Sequence, residues 1–432
     1  MKRVLLALTL AFAACGQPAP QPNHSYGPNP ALPPPQTGPI PTVNAARAVG
    51  WPPGAAPHAP AGFVVTRYFE NLDHPRWIYT LPNGDVLVAE SSSQAESGGG
   101  VVGWVRNAVQ NSAGALGRSA NRITMLRDED HNGVVDSHYV FAEDLNQPFG
   151  MALVGDYFYV ANTDAIVRFR YTPGAVRTPG RGEAIVRLPH RAGDNGHWTR
   201  NLAVSPDGSK LYIAVGSSSN IADHGMADER NRAAIWQVNP DGGGMRIFAS
   251  GLRNPVGLEF DPRTGLLWTS VNERDMLGDN LVPDYLTHIV EGGFYGWPYS
   301  YWGRHVDARV RPQNPALVAT ALAPDFALGA HTASLGLHFY RGAALPARYR
   351  NGVFIGQHGS WNRSQFVGYK VVFVPFADGR PTGPIEDFLT GFLNARNQAQ
   401  GRPVGIGEDA TGALLVADDV GNIVWRVAPA PH

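Results

Sequence analysis

Ser205-Pro206-Asp207-Gly208-Ser209-Lys210-Leu211-Tyr212-Ile213 joins a tight turn to an apolar strand. The pattern is a hairpin: Gly or Asn supplies the left-handed turn residue, and β-branched and aromatic residues follow. It recurs as Leu81-Pro-Asn-Gly-Asp-Val-Leu-Val, Asp261-Pro-Arg-Thr-Gly-Leu-Leu-Trp and Asp409-Ala-Thr-Gly-Ala-Leu-Leu-Val. Weaker copies are Val154-Gly-Asp-Tyr-Phe-Tyr-Val and Tyr349-Arg-Asn-Gly-Val-Phe-Ile. The spacing, roughly 50 to 90 residues, matches propeller blades with inserted loops. The expectation is all-β: a six-bladed β-propeller spanning residues 62–430, with its chemistry at one mouth of the central axis.

The chain has 432 residues, enough for one large propeller. Lys+Arg 35 against Asp+Glu 36 leaves almost no net charge, so there is no basic field for nucleic acid. Gly 50 and Pro 36 suit a fold with many turns.

Lys2 and Arg3 precede an apolar run from Val4 to Ala14, the pattern of a signal peptide over residues 1–15. Cys15 is the only cysteine and follows Phe12-Ala13-Ala14, similar to a bacterial lipoprotein cleavage site. With no disulfide to form, this thiol favours lipid attachment over plain cleavage after Ala13. The expected location is exported, in the bacterial cell envelope (periplasm), held to the membrane by a lipid anchor alone. Residues 16–61 are Pro-rich and are expected as a disordered tether.

Three segments carry chemistry-bearing residues. Gly196-His197-Trp198-Thr199-Arg200-Asn201 precedes a turn phrase, placing His197 on an axis-facing loop where an imidazole could act as general base. Gly251-Leu252-Arg253-Asn254-Pro255 has the same phase and offers a guanidinium fork beside an amide. Asn272-Glu273-Arg274-Asp275 crowds oxygens after a strand, which suits a hard cation. Taken singly, each segment could equally be blade packing.

Together the ordered set His197-Trp-Thr-Arg-Asn-Leu, Gly251-Leu-Arg-Asn-Pro-Val-Gly-Leu, Gly293-Phe-Tyr-Gly-Trp-Pro, His358-Gly-Ser-Trp-Asn-Arg and Gly401-Arg-Pro-Val-Gly-Ile resembles the pyrroloquinoline quinone (PQQ)-dependent sugar dehydrogenases, the soluble glucose and aldose dehydrogenase group. It looks closest to the sorbosone dehydrogenase branch. The resemblance implies PQQ across the axial mouth and a Ca²⁺ held by backbone carbonyls matching Glu273, Arg274 and Asp275. The family's base matches His197, and its paired Arg and Asn match Arg253 and Asn254. Arg402 matches a residue holding a cofactor carboxylate, and Gln147 one beside the substrate. His331 and Arg363 stand where the glucose enzymes place further cofactor contacts, with different residue types. The implied partners are a small sugar substrate and a respiratory electron acceptor. Two departures stand out: Val215-Gly-Ser-Ser-Ser-Asn220 lacks the carboxylate that orients the family's histidine, and Val404 replaces a second basic residue.

Separately, Asp128, Asp130, Asn132 and Asp136 hold positions one, three, five and nine of an EF-hand-type loop with Gly133 at six, while Tyr139 stands at twelve. This is either a structural Ca²⁺ loop or a solvated acidic turn. Two other functions stay open: a non-catalytic glycan- or protein-binding propeller, and a Ca²⁺-dependent lactonase-type hydrolase using Asn254, Asn272 and Glu273.

Overall fold

Every copy of the turn phrase becomes the hairpin between the first and second strands of a blade. At four copies the turn closes alike: Gly84 N–H donates to Leu81 O, Gly208 to Ser205, Gly265 to Asp261 and Gly412 to Asp409. All four glycines have φ between 69° and 90°, the left-handed region that a side chain would strain. The computed structural model describes residues 25–38, 42–95, 107–108, 110–191 and 196–431. The expected signal peptide and Cys15 lie outside the described residues.

Six antiparallel sheets follow in chain order. Blade 1 is Pro75–Thr80, Val86–Glu90, Arg122–Arg127 and Ser137–Ala142. Blade 2 runs Met151–Val154, Tyr157–Ala161, Ala165–Arg170 and Glu183–Arg187. Blade 3 is Arg200–Val204, Leu211–Val215, Ala234–Val238 and Arg246–Ser250. Blade 4 is Pro255–Phe260, Leu267–Val271, Pro283–His288 and Phe326–Ala330. Blade 5 has His338–Phe339, Gly352–Gln357, Lys370–Ala377 and Glu386–Leu389. Blade 6 joins Pro403–Glu408, Leu414–Asp418 and Ile423–Pro429 to Phe63–Glu70, so strands far apart in the chain close the ring.

The second strands are buried at every position but Tyr157 and read as near-continuous apolar runs, such as Val-Leu-Val-Ala-Glu at 86–90 and Leu-Tyr-Ile-Ala-Val at 211–215. First strands approach each other around the axis. A Cβ at Gly336 would lie 2.0 Å from Val404 O, which explains a glycine there. Among the described residues no helix is long and apolar enough to cross a membrane.

The Pro-rich stretch differs from a free tether in its described part. Tyr26–Gly27 pairs with Leu328 and Ala327 at the edge of blade 4. Gln36 N–H donates to Leu277 O, Asn44 N–H to Trp361 O and Trp51 Nε1–H to Asp418. Ala46 is buried. An extended proline-rich chain makes no internal hydrogen bonds, so its backbone groups are free to bond to the propeller surface. Composition alone does not report this long-range docking.

On the face carrying the turn phrases, His338 of blade 5 bridges its neighbours. Its Nε2 lies 2.8 Å from Glu408 Oε1 of blade 6 and its Nδ1 3.4 Å from Glu259 Oε2 of blade 4. Burial opposes the charge, but Glu259 and then Glu408 outweigh it and push His338 up to about 9. The folded value exceeds the unfolded one, near 6.5. The clamp is therefore full below pH 6.5 and lost as pH rises towards 9. We expect denaturant-measured stability to fall across that window, by up to about 3 kcal/mol, and the fall to be absent in His338→Gln. An equal fall in the variant would show that the clamp does not cause it.

Candidate active site

The turn phrases occupy one face of the ring, so the starts of first strands and the ends of second strands meet at the other. That mouth collects polar side chains from every blade. The starts supply Arg76, Gln147, His197, Arg253 with Asn254, His331 and Arg402. The second-strand ends supply Glu90, Asn162, Ser217, Glu273 with Asp275, His358 and Asp419.

His197 is half-buried. Its Nδ1 lies 2.9 Å from Ser217 Oγ and 3.1 Å from Ser217 O. The Ser217 hydroxyl donates to Ser219 O at 2.7 Å. Burial, and then the nearby Arg253 guanidinium, hold the imidazole well below its ordinary value, so it is neutral at working pH. Arg200, fully buried, donates to His197 O and Thr199 O and pins this loop. Gly216 separates His197 from Asn254: a Cβ there would lie 2.6 Å from His197 Cβ and 2.4 Å from Asn254 Oδ1.

Arg253 is buried and fully engaged at its terminal nitrogens. It donates to Glu273 O at 2.6 Å, Asn272 O at 3.2 Å, Asn220 Oδ1 at 2.9 Å and Asp275 Oδ2 at 3.0 Å. Burial opposes ionisation of Asp275, but Arg253 and then His331 outweigh it and hold this carboxyl below its usual range. His331 sits 3.3 Å from Asp275 and 2.9 Å from Gly278 O. Burial disfavours its charge, and Asp275 prevails and raises it. Glu273 is pushed up to about 7 by burial, and Arg274 is pulled down to about 10 by burial while paired with Asp307.

Two of the three carbonyls expected to hold an axial Ca²⁺, those of Glu273 and Asp275, already accept hydrogen bonds from side chains of the protein. That of Glu273 accepts from Arg253, and that of Asp275 accepts from Asn220 and Arg274. The Asp128 loop lies instead on the opposite face, between the third and fourth strands of blade 1. Ligand oxygens of Asp128, Asp130 and Asp136 fall within 4.8 Å of one another. Asn132 points its side-chain oxygen at Val134 N–H and its amide at Asp130.

Arg402 donates to Ala46 O at 3.1 Å and lies over the Tyr369 ring at 5.1 Å. Arg363, half-buried at the rim, donates to Asp279 O, and burial lowers its pKa. Gln147 donates to Ser92 O at 2.9 Å. Trp198 and Trp297 are buried with their Nε1–H on Ser93 Oγ and Asn220 O, while Trp361 is exposed. The described ends of the insertion after Glu90 are on the mouth side, since Ser93 meets Trp198 and Ser112 meets Ala48. Beside it, between blades 1 and 2, lies a cavity of about 1030 Å³ lined by Asn121, Arg122, Glu143, Asn162 and Arg181. His197 is not among the residues that line it.

One cluster was missed by sequence reasoning. Asp419 pairs with Arg76 and lies 2.9 Å from His358 Nε2. Burial opposes its ionisation, but His358 and Arg76 outweigh it and keep the carboxyl well below its usual range. Burial pushes His358 down to about 4, so it is a neutral donor to Asp419. Arg76 also lies over Trp198 at 5.4 Å. The signal was position: Arg76 stands at the start of a first strand, close to the phase of Arg253 just before one, and Asp419 follows a second strand as Ser217 does.

Polar atoms left unpaired are concentrated at this mouth. Arg76, Arg253, Arg363 and Arg402 each keep a buried Nε without a partner, and so do Asn254 Oδ1 and Asn162 Oδ1. Unsatisfied buried donors cost about 1–3 kcal/mol each, and guanidinium donors suit the carboxylates of a planar polyanion. This donor set fits PQQ, a flat trianion.

A family profile described as "Domain of unknown function (DUF7133)" matches residues 82–360, and one described as "TrAA12-like" matches residues 313–429. A protein of Borreliella burgdorferi described as uncharacterized is 31% identical over 299 residues, covering 67% of this chain and 77% of that protein. A PQQ-dependent pyranose dehydrogenase of Coprinopsis cinerea is 25% identical over 435 residues, covering 85% of this chain. The chain spans 54% of that relative's length. The solved holo form of the pyranose dehydrogenase PQQ domain from Coprinopsis cinerea superposes with a TM-score of 0.69 at 22% identity, covering 89% of this chain and 100% of that one. The fold is thus the one found in PQQ-dependent sugar dehydrogenases.

Proposed function

The chain belongs to the family described as DUF7133, and from the donor set at its mouth we propose that it is a PQQ-dependent oxidoreductase of sugars or sugar-derived aldehydes. The observation that carries this reading is the four arginines with unpartnered buried Nε–H groups around one axial mouth. They match the charge and shape of PQQ better than a neutral glycan. Similarity to the pyranose dehydrogenase supports the same class.

Arg76, Arg253, Arg363 and Arg402 would hold the cofactor, with Asn254 beside it. When bound, PQQ supplies a two-electron oxidant for a hydride from the sugar carbon. His197 takes the proton of the sugar hydroxyl at Nε2, because Nδ1 faces Ser217. Arg253, fixed by Asp275 and Asn220, places positive charge next to that base. No step runs through an axial Ca²⁺, which also weakens the lactonase reading. Asp128, Asp130 and Asp136 are the proposed structural Ca²⁺ ligands, away from the mouth. Export, anchorage through Cys15 and transfer of electrons to a respiratory acceptor complete the proposal; the mass of the mature N-terminus tests the anchor.

The decisive experiment is titration of purified protein with PQQ, with and without Ca²⁺, followed by visible absorbance and aldose-dependent dye reduction. A saturable absorbance change at one equivalent and sugar-dependent turnover are expected. A linear, unsaturating change with no turnover would overturn the proposal. In the same samples, a rise in melting temperature with Ca²⁺ reports on the Asp128 loop, and no rise removes that ion.

A further inference from the structure

We propose that Ser217 is a positioning residue that fixes the tautomer of His197 through its hydroxyl and carbonyl oxygens, in place of a carboxylate. The role deepens the reading above and rests on His197 being the base.

The argument is hydrogen-bond arithmetic. Ser217 O is an acceptor only. Ser217 Oγ has one hydrogen, and it goes to Ser219 O at 2.7 Å. Both atoms therefore face His197 Nδ1 as acceptors, at 3.1 and 2.9 Å. Nδ1 must carry the proton, and the lone pair is on Nε2.

The supports of Ser217 leave it no freedom. It is fully buried. Its N–H donates to Arg253 O at 2.8 Å, which ties it to blade 4. The following residues are clamped by Glu229, which accepts from Ser218 N–H, Ser219 N–H and Ser219 Oγ–H. Gly216 lets His197 pack directly against this turn.

The charged groups facing the imidazole come from three elements. Arg253 and Asp275 project from blade 4 and pair with each other. Arg232 and Glu229 come from the loop before the third strand of blade 3, with Arg232 3.4 Å from Ser217 O. Arg200 lies on the strand that His197 precedes and binds its carbonyl. A carboxylate at position 217 would add a buried negative charge beside Nδ1 and favour the imidazolium, which cannot accept a proton. A neutral hydroxyl orients the ring and leaves it neutral. The device predicts a base that works without an acidic limb near pH 6.

The test is ¹⁵N-histidine NMR of the full cofactor-free protein from pH 5.5 to 8, with His197→Gln for assignment. Wild type is expected to show a neutral His197 with Nδ1–H throughout. Ser217→Ala is expected to give a mixture of tautomers, and Ser217→Thr, which keeps the hydroxyl, to restore the single one. Ser217→Asp is expected to raise the titration of the ring by about one unit or more. In the PQQ-loaded enzyme, Ser217→Ala is expected to lower kcat by roughly threefold to tenfold with the sugar KM unchanged. An Nε2–H tautomer in wild type, or an unchanged tautomer in Ser217→Ala, would overturn the proposal. Because the NMR needs neither cofactor nor turnover, failure of the enzymatic reading leaves it standing as a separate result.

Discussion

His197→Ala is expected to lower sugar-dependent dye reduction by roughly 10²- to 10⁴-fold, the range for removing a positioned base, while leaving the absorbance titration with PQQ intact. The ring is neutral at working pH because burial and Arg253 disfavour its charge, so its loss removes a competent acceptor and little binding. The control is His358→Ala. That imidazole lies at the same mouth but donates to Asp419, and Arg76 keeps the carboxylate paired without it. Its removal is expected to cost far less turnover. Full activity in His197→Ala, or an equal collapse in both variants, would remove His197 from the role of base.

Arg253→Met is expected to destabilise the protein by about 3–5 kcal/mol, the cost of leaving a buried charge without its partner, and to abolish PQQ binding. Asp275 loses its principal counter-charge, and the Asn272 and Glu273 carbonyls lose their donor. The pH dependence has a definite sign. In the native protein the folded Asp275 value is depressed, so its contribution is present above the unfolded value near 3.9 and is lost as pH falls through the folded value. In Arg253→Met burial is no longer offset by the guanidinium, the carboxyl rises, and acidification from pH 7 to 5 is expected to stabilise the variant relative to wild type. Urea unfolding at both pH values reads this directly. Arg253→Met with Asp275→Asn should recover part of the stability without recovering the cofactor. A single variant as stable as wild type, with an unchanged absorbance titration, would show that the pair is a bystander.

The propeller was legible because its signal is local. Gly84, Gly208, Gly265 and Gly412 each close a turn within a few residues of the strand they start, and that geometry is written in adjacent side chains. The mouth was legible through phase, since His197 and Arg253 stand just before first strands. What the residues could not show was which groups consume one another. In sequence Arg253 reads as a catalytic group and the Glu273 carbonyl as a metal ligand, yet they bond to each other, because partner choice depends on the distance between loops of one blade. Arg76, His358 and Asp419 escaped for a related reason: blade 1, blade 5 and blade 6 meet only when the ring is shut. The docking of Trp51 on Asp418 spans more than three hundred residues and leaves no trace in composition.

The pairing of Phe63–Glu70 with Ile423–Pro429 has a temporal meaning. On the ribosome Phe63–Glu70 emerges well before its mate Ile423–Pro429 and has to wait for it. Until both strands are made the chain is an unsealed arc with a bare sheet margin, and its final cooperativity waits for their pairing.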